Sequence, residues 1–253
     1  MRVLVTGAGG YIGRAVVDAL GHAGHEPVAM VPSDRSTAPA ATETRPGDLL
    51  KADTLADAVR GVDAVCHLAG LTRARESWEQ PLRYFAVNVG GTLALLEAMA
   101  ANRVSVVVFA STGSIYGAPE RQPMSEGLPD APPHPYAASK QAAESAIEWQ
   151  ARAGELGAVV LRLFNVASGA DPDPTRIVPR VLAVAAGESP SVEVNGDGSA
   201  VRDFLHVNDA AQAFVAALDA GPRAAELGWK PRRSDLNTIV GDAWAARTQS
   251  GRE

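Results

Sequence analysis

The sequence predicts an α/β fold, a doubly wound parallel sheet joined to a small, reduced C-terminal lobe. Three observations carry that prediction. Near-continuous apolar runs recur at residues 2–6, 26–31, 62–69, 104–110 and 158–164, too uniformly apolar for a sheet with one wet face. Segments of helical period separate them, at 12–20, 54–60, 81–101 and 136–153. The first run leads directly into a glycine-rich turn and then a helix. Buried strands alternating with helices imply crossovers that cover both faces of the sheet.

Bulk properties bound the function. At 253 residues the chain can bury one α/β core with a small lobe beside it, and 46% hydrophobic with 21% charged residues is a globular composition. The net charge of −6, without a long basic run, argues against a nucleic-acid surface. Phosphate groups of a small ligand would have to be met locally, by a loop or a single arginine. The one cysteine, Cys66, lies in an apolar run and suits a reducing compartment. Met1 leads straight into a strand, and no run of about 18 apolar residues is expected to span a membrane. The expectation is therefore a soluble, cytoplasmic protein.

The elements follow in order. Arg2-Val-Leu-Val-Thr6 is a short buried strand, and Thr6-Gly7-Ala8-Gly9-Gly10-Tyr11-Ile12-Gly13 opens the first helix. Glycines allow a tight turn and close backbone approach, while free N–H groups and the helix dipole face an anion. A strand, a glycine turn and a helix N-terminus together predict a dinucleotide site. Residues 26–31 form the second strand, and the Pro/Ser/Thr/Ala stretch at 32–44 reads as loop. A short helix at 54–60, a strand at 62–69, a long helix at 81–101 and the β-branched strand at 104–110 come next. A helix at 136–153 and a strand at 158–164 complete this part. After Asn165 the chain turns irregular, with Ala170-Asp-Pro-Asp-Pro174 and Val194-Asn-Gly-Asp-Gly-Ser199, before a helix at 208–218. Residues 1–165 are therefore expected to form the nucleotide-binding domain with the catalytic residues, and 166–253 a reduced substrate lobe and tail.

Tyr136 and Lys140 lie four apart on one helix, hence on one face. An ammonium beside a phenol lowers the phenol's pKa, so Tyr136 could exchange a proton near neutral pH. Thr112 lies just past the β-branched strand, at the carboxyl edge where ligands of such sheets bind. Its hydroxyl could hold the substrate oxygen whose proton Tyr136 handles, or simply cap a turn.

With these residues the chain resembles the extended short-chain dehydrogenase/reductases, and among them the UDP-glucose 4-epimerase group of NAD-dependent epimerases and dehydratases. The glycine loop, His67-Leu-Ala-Gly70, Glu76-Ser77, Asn88-Val-Gly-Gly-Thr92, Ser111-Thr112 with Ile115-Tyr-Gly117, and Pro135-Tyr-Ala-Ala-Ser-Lys140 occur in the group's order. So do Leu161-Arg-Leu-Phe-Asn165-Val, Arg202-Asp-Phe-Leu-His206-Val-Asn-Asp209 and Glu226-Leu-Gly-Trp-Lys-Pro231. The resemblance implies a Rossmann-type fold and a bound dinucleotide on Gly7, Gly10, Tyr11, Ile12, Gly13, Asp48, Leu49, Leu68, Ala69, Tyr136 and Lys140. It implies Tyr136 as general base, Lys140 on the ribose hydroxyls, and Thr112 on the sugar oxygen. Asn165 would touch the sugar diphosphate and Arg202 would pair with it, unless Arg202 is a structural partner of Asp203 or Asp209. Asn88 is read as a support of the sheet rather than a substrate contact. The implied reaction removes the sugar 4-hydroxyl proton as hydride passes to the nicotinamide, then returns hydride to the other face of the rotated 4-keto sugar. No metal site is expected. The helices at 81–101 and 136–153 resemble the pair through which family members dimerise, so a homodimer is expected.

Three departures qualify this reading. The second strand ends Val31-Pro32 where NAD users place an acidic residue and NADP users a basic one. Asp34 and Arg35 follow, and either could read the ribose, so NAD is favoured with NADP left open. Gly113-Ser114 stand where related dehydratases carry two carboxylates, which lowers the elimination reading. Beyond Leu218 the chain passes from Asp219 almost directly to Leu227-Gly-Trp, omitting a strand and helix that the resemblance leads one to expect, with a second diphosphate-binding arginine. The main alternative is an NAD(P)H-dependent reductase on a sugar-like metabolite. The alternative of another class is a non-catalytic dinucleotide-binding sensor or partner module.

Overall fold

The computed structural model describes residues 1–32, 41, 43–154, 156–194, 196–221 and 228–250. Its elements are β1 (Arg2–Thr6), α1 (Tyr11–His22), β2 (Glu26–Val31), β3 (Glu43–Pro46), α2 (Ala52–Ala58), β4 (Ala64–His67), α3 (Ala74–Glu79), α4 (Pro81–Phe85), α5 (Gly91–Ala101), β5 (Val106–Thr112) and α6 (Pro135–Arg152). β6 (Gly157–Leu163), β7 (Asn165–Ala167), α7 (Ile177–Ala185), β8 (Phe204–His206), α8 (Val207–Ala220) and α9 (Leu236–Ser250) complete the chain.

The central sheet has the order β3-β2-β1-β4-β5-β6, with every neighbouring pair parallel. Side chains alternate across it, so each strand feeds two cores. Val3, Val5, Ala29, Cys66 and Val108 face α1 and α8. Leu4, Val28, Val65, Val107 and Phe109 face Leu55 of α2, Leu95 and Met99 of α5, and Ile147 of α6. Both faces are covered, which is why the strands read as unbroken apolar runs. The order reverses beside β1, so its carboxyl end and that of β4 open onto a crevice.

Beyond β6 the chain makes a two-stranded parallel sheet of β7 and β8 and a small third core of Ala167, Val178, Leu182, Ile239 and Ala243. The strand, helix and strand at β7, α7 and β8 and the helix α9 were not predicted, because each is short or weakly patterned. Helix α8 lies beyond residue 165 yet packs against α1 on the main sheet. The edge strand β3 lies partly in the stretch expected to be loop. Its sequence, Glu-Thr-Arg-Pro, alternates half-buried and exposed residues, so no apolar run announces it.

The long helix expected at 81–101 is interrupted. A π-turn at Ala86–Gly90 joins α4 to α5. This 21-residue stretch, Pro81–Ala101, is long and apolar enough to cross a membrane by length and composition, which corrects the expectation that no such run exists. Here Tyr84, Leu95 and Met99 lie in the protein core.

Candidate active site

A cavity of about 770 Å³ opens at the carboxyl ends of the strands. Gly7, Gly10, Tyr11, Ile12, Gly13, Asp48, Leu49, Leu68, Ala69, Thr112, Tyr136, Lys140 and Asn165 all line it. Of the other expected site residues, Asp34 and Arg35 lie outside the described residues. Arg202 does not line the cavity. It is exposed and donates from Nη1 to the carbonyl of Val201 at 2.8 Å. Neither alternative ion pair forms among the described residues, because Asp209 accepts instead from the Arg233 amide and the Ser234 hydroxyl.

The glycine loop has the shape of a phosphate cradle. Gly7 has φ +69°, and a Cβ there would lie 2.8 Å from the Ala69 amide nitrogen. At Gly13 a Cβ would meet the Gly7 carbonyl oxygen at 2.1 Å. Backbone therefore approaches backbone at both positions, leaving the α1 N-terminus facing the cavity. Two further features fit a dinucleotide. Leu49 is buried on the wall beneath Gly91, and the Ser111 hydroxyl, also on the wall, is buried without a hydrogen-bond partner among the described residues.

A buried polar chain ties this loop to helix α6. Thr6 Oγ1 accepts from the Leu68 and Ala69 amides, both at 3.1 Å, so its own proton goes to His67 Nδ1 at 2.7 Å. Burial, with the Lys140 charge nearby, pushes the His67 pKa down to about 3, so the ring is neutral. Its remaining proton, on Nε2, is donated to Thr92 Oγ1 at 3.0 Å, and Thr92 donates to the Asn88 carbonyl. The Asn88 side chain accepts from the Leu71 amide and donates to the Leu71 carbonyl and to Ser139 Oγ. Ser139 donates to the Tyr136 carbonyl. The π-turn is what turns Asn88 inward, a common use of such turns. Asn88 thus supports the framework, as expected, and makes no cavity wall.

Helix α6 begins with Pro135 at its first position and His134 Nδ1 accepting the Ala137 amide at 3.1 Å. His134 also stacks on Tyr136 at 5.8 Å between ring centroids, while Tyr84 meets it edge-on at 6.4 Å. The Tyr136 phenol is thereby fixed. Burial and the neighbouring Tyr84 raise its pKa, while the nearby Thr112 hydroxyl and the charge of Arg176 lower it. The expected lowering by Lys140 is not among the causes. Lys140 is itself fully buried, its Nζ 4.0 Å from the centre of the Phe109 ring, and burial pushes its pKa down to about 7 against the opposing pull of Glu144. Thr112 caps the turn that follows it, its hydroxyl accepting the Ser114 amide at 3.2 Å, and it also lines the cavity.

Sequence reasoning missed Arg176 and Asp171. Asp171, Asp173 and Arg176 sit where the turn-rich segment enters α7. Arg176 Nη1 bonds both Asp171 oxygens, at 3.1 and 3.2 Å, and the guanidinium lies over the Tyr11 ring at 5.3 Å. Tyr11 in turn donates to the Ser168 carbonyl, bracing the glycine loop against the small lobe. The Asp-Pro-Asp-Pro run was visible, but nothing in it announced an arginine folded back over residue 11.

A parallel sheet with a dinucleotide cradle and an adjoining Thr–Tyr–Lys set defines the site of a nucleotide-dependent α/β enzyme. The model of the NAD dependent epimerase/dehydratase family matches residues 3–228, and the chain belongs to that family. It is similar to a UDP-glucose 4-epimerase of Streptomyces lividans, 33% identical over 314 aligned positions covering 96% of this chain and 95% of the relative. A UDP-glucose 4-epimerase of Azospirillum brasilense is 39% identical over 86% of this chain and 68% of its own. The structure of the Stenotrophomonas maltophila UDP-glucose-4-epimerase, with bound NAD and formylated UDP-arabinopyranose, superposes with a TM-score of 0.88 at 28% identity, over 100% of this chain and 99% of that one. An alignment of 314 positions exceeds the 253 residues here while spanning both proteins almost end to end, so this chain lacks internal residues that the Streptomyces protein has.

Proposed function

We propose that the protein is an NAD-dependent sugar-nucleotide epimerase acting through transient oxidation at the sugar C4 and return of hydride. The observation that carries this reading is that Thr112, Tyr136 and Lys140 converge on the wall of the cavity that the glycine loop also lines. The relatives' names and the NAD bound in a structural neighbour support it. When bound, NAD supplies a hydride acceptor that becomes the donor in the second half of the cycle.

The residues then divide the work. Gly7, Gly10, Tyr11, Ile12 and Gly13 bind the cofactor diphosphate through backbone N–H groups and the helix dipole. Asp48 and Leu49 flank the adenine, Leu68 and Ala69 the central wall, and Asp34 or Arg35 reads the adenosine ribose. Lys140 holds the other ribose. Thr112 orients the sugar hydroxyl, Tyr136 takes and returns its proton, and Asn165 contacts the sugar diphosphate. Residues 1–165, with α8 packed against their sheet, form the cofactor half, and the rest of 166–253 shapes the substrate side. Cys66, a single buried thiol, suits a reducing compartment, so we place the enzyme in the cytoplasm. Exposed Leu82, Phe85 and Leu93 with Trp149 form a face for a homodimer, which sedimentation would register as twice the chain mass.

The test is to denature purified protein, assay the supernatant for NAD⁺, and follow the conversion of UDP-glucose to its 4-epimer. Stoichiometric NAD⁺ with epimerisation supports the reading. Cofactor-free protein that consumes NADPH would overturn it in favour of a reductase that releases its cofactor each turnover, which the internal shortening of the chain would permit.

A further inference from the structure

We propose that His134 is a positioning residue for Tyr136, an N-cap that holds the first turn of α6 only while its ring is neutral, so that acid loosens the turn and misplaces the phenol. This rests on the epimerase reading above, in which Tyr136 moves the substrate proton. Helix α6 begins Pro135-Tyr136-Ala137. Pro135 has no N–H to satisfy, so the orphan amides inside the first turn are those of Tyr136 and Ala137. His134 Nδ1 accepts from the Ala137 amide at 3.1 Å, and the His134 carbonyl takes the Ala138 amide at 3.1 Å. The His134 backbone is extended, at φ −156° and ψ 161°, as a residue before proline prefers. Its ring lies almost parallel to that of Tyr136, with 14° between the planes and 5.8 Å between centroids. One side chain therefore holds both the backbone of the turn and the face of the phenol.

The usual N-caps are serine, threonine, aspartate and asparagine, whose acceptor oxygens survive at about pH 5. An imidazole accepts through Nδ1 only while that nitrogen carries no proton, so the capping form has its hydrogen on Nε2. Protonation would place a hydrogen on Nδ1 facing the Ala137 amide and set a cation at the positive end of the helix dipole. Burial also favours the neutral ring, lowering its pKa against the opposing influence of its own backbone. Among the described residues, the charged groups on the elements packed against α6 are Arg75, Glu76 and Glu79 of α3, Arg83 of α4, Glu97 of α5 and Arg162 of β6. None of them acts on the ring, and neither do those further along α6 itself. Asp130, on the loop before the helix, is taken by Arg162. The phenols of Tyr84 and Tyr136, both with raised pKa values, stay neutral in acid. Nothing among these groups retains an imidazolium. The folded ring titrates below its ordinary 6.5, so the cap is complete above that value and is lost as the pH falls through the lower, folded one.

The experiment follows UDP-glucose epimerisation by the NAD-loaded protein from about pH 8 to about pH 5 for wild type, His134→Asn and His134→Ala, with the histidine rings and the Ala137 amide observed by NMR. Asparagine caps without titrating, so it separates the cap from the proton. At about pH 8, His134→Ala should lose about fivefold in kcat, and His134→Asn should recover most of that loss. Toward pH 5 the wild-type rate should fall about fivefold further than that of His134→Asn, beyond the decline both share through Tyr136. The Ala137 amide should shift with the midpoint of the His134 ring, below 6.5. A ratio of wild-type to His134→Asn rates that stays constant across the range overturns the proposal, as does an Ala137 amide that ignores the ring's titration. Wild type that holds NAD and epimerises at no pH, while ring and amide still titrate together, overturns the epimerase reading instead, and the proposal with it.

Discussion

Replacing Gly13 by alanine tests the cradle at its tightest point. The new Cβ would sit 2.1 Å from the Gly7 carbonyl oxygen and 2.8 Å from its carbonyl carbon, where real Cβ atoms essentially never come within 3.0 Å. The atoms in the way are backbone, so no rotamer change relieves the clash, and the turn or the helix must move by about 1 Å. That displacement carries the N–H groups of the Gly7–Gly10 turn away from the cofactor phosphates. Each hydrogen bond to a charged group is worth about 1.5–3 kcal/mol, so losing one or two weakens NAD binding by roughly one to four orders of magnitude. The apo fold should survive, since Gly13 is buried at a helix end and the sheet cores are untouched. The assay is the NAD⁺ released on denaturation, with calorimetric titration of stripped protein. A Gly13→Ala protein that retains one NAD per chain at wild-type affinity would refute the cradle.

Further expectations follow from the same geometry. Tyr136→Phe should lower epimerisation by about a thousandfold or more while leaving cofactor content unchanged, as read by turnover and NAD⁺ release together. Lys140→Met should be more stable than wild type by about 1–2 kcal/mol, roughly 3–6 °C, at pH 7 in cofactor-free protein. The sign follows from the lowered lysine pKa. Burial drops it from 10.5 to about 7, so the unfolded chain holds more protons between those values and wild-type stability rises with pH there. The advantage of Lys140→Met should therefore be full below pH 7 and shrink toward pH 10; a difference in melting midpoint that stays flat across that range would contradict the burial argument. Ser168 combines φ +89° with a buried, unpartnered hydroxyl, so Ser168→Gly should stabilise by about 1–2 kcal/mol in a denaturant titration. Arg162→Ala removes the partner of half-buried Asp130 and of Glu144, to which Arg162 Nη2 donates at 2.7 Å, and should cost about 3 kcal/mol in the same titration.

The sheet was legible because its strands are buried on two faces. Val3-Leu-Val5 and Val107-Val-Phe109 serve both cores at once, which forces an unbroken apolar run that sequence displays openly. The edge strand β3 was not legible, since Arg45 there spends its side chain on Glu43 and on the carbonyls of Ala58 and Arg60, and only its pairing with β2 makes it a strand. Thr112, Tyr136 and Lys140 could be placed from strand-end and helix spacing alone. Their electrostatics could not, because the environment of Tyr136 is set first by its burial and then by Tyr84 and Arg176, which tertiary folding alone delivers. Arg202 shows the converse: its motif is plain in the sequence, while the structure has its guanidinium in solvent beside the Val201 carbonyl.

The π-turn at Ala86–Gly90 makes the chain sensitive to length rather than to composition. Each residue advances a helix by about 100°, and the turn accommodates one residue more than an α-helix would. Deleting any one residue from it would restore a regular ladder and swing the preceding segment round its axis by that angle. Tyr84 would leave the core, where its hydroxyl now donates to the Arg73 carbonyl at 2.8 Å, and the outward face carrying Leu82 would turn elsewhere. Substitutions along this helix act on single contacts, whereas a one-residue deletion would dephase the outer face from the active-site wall.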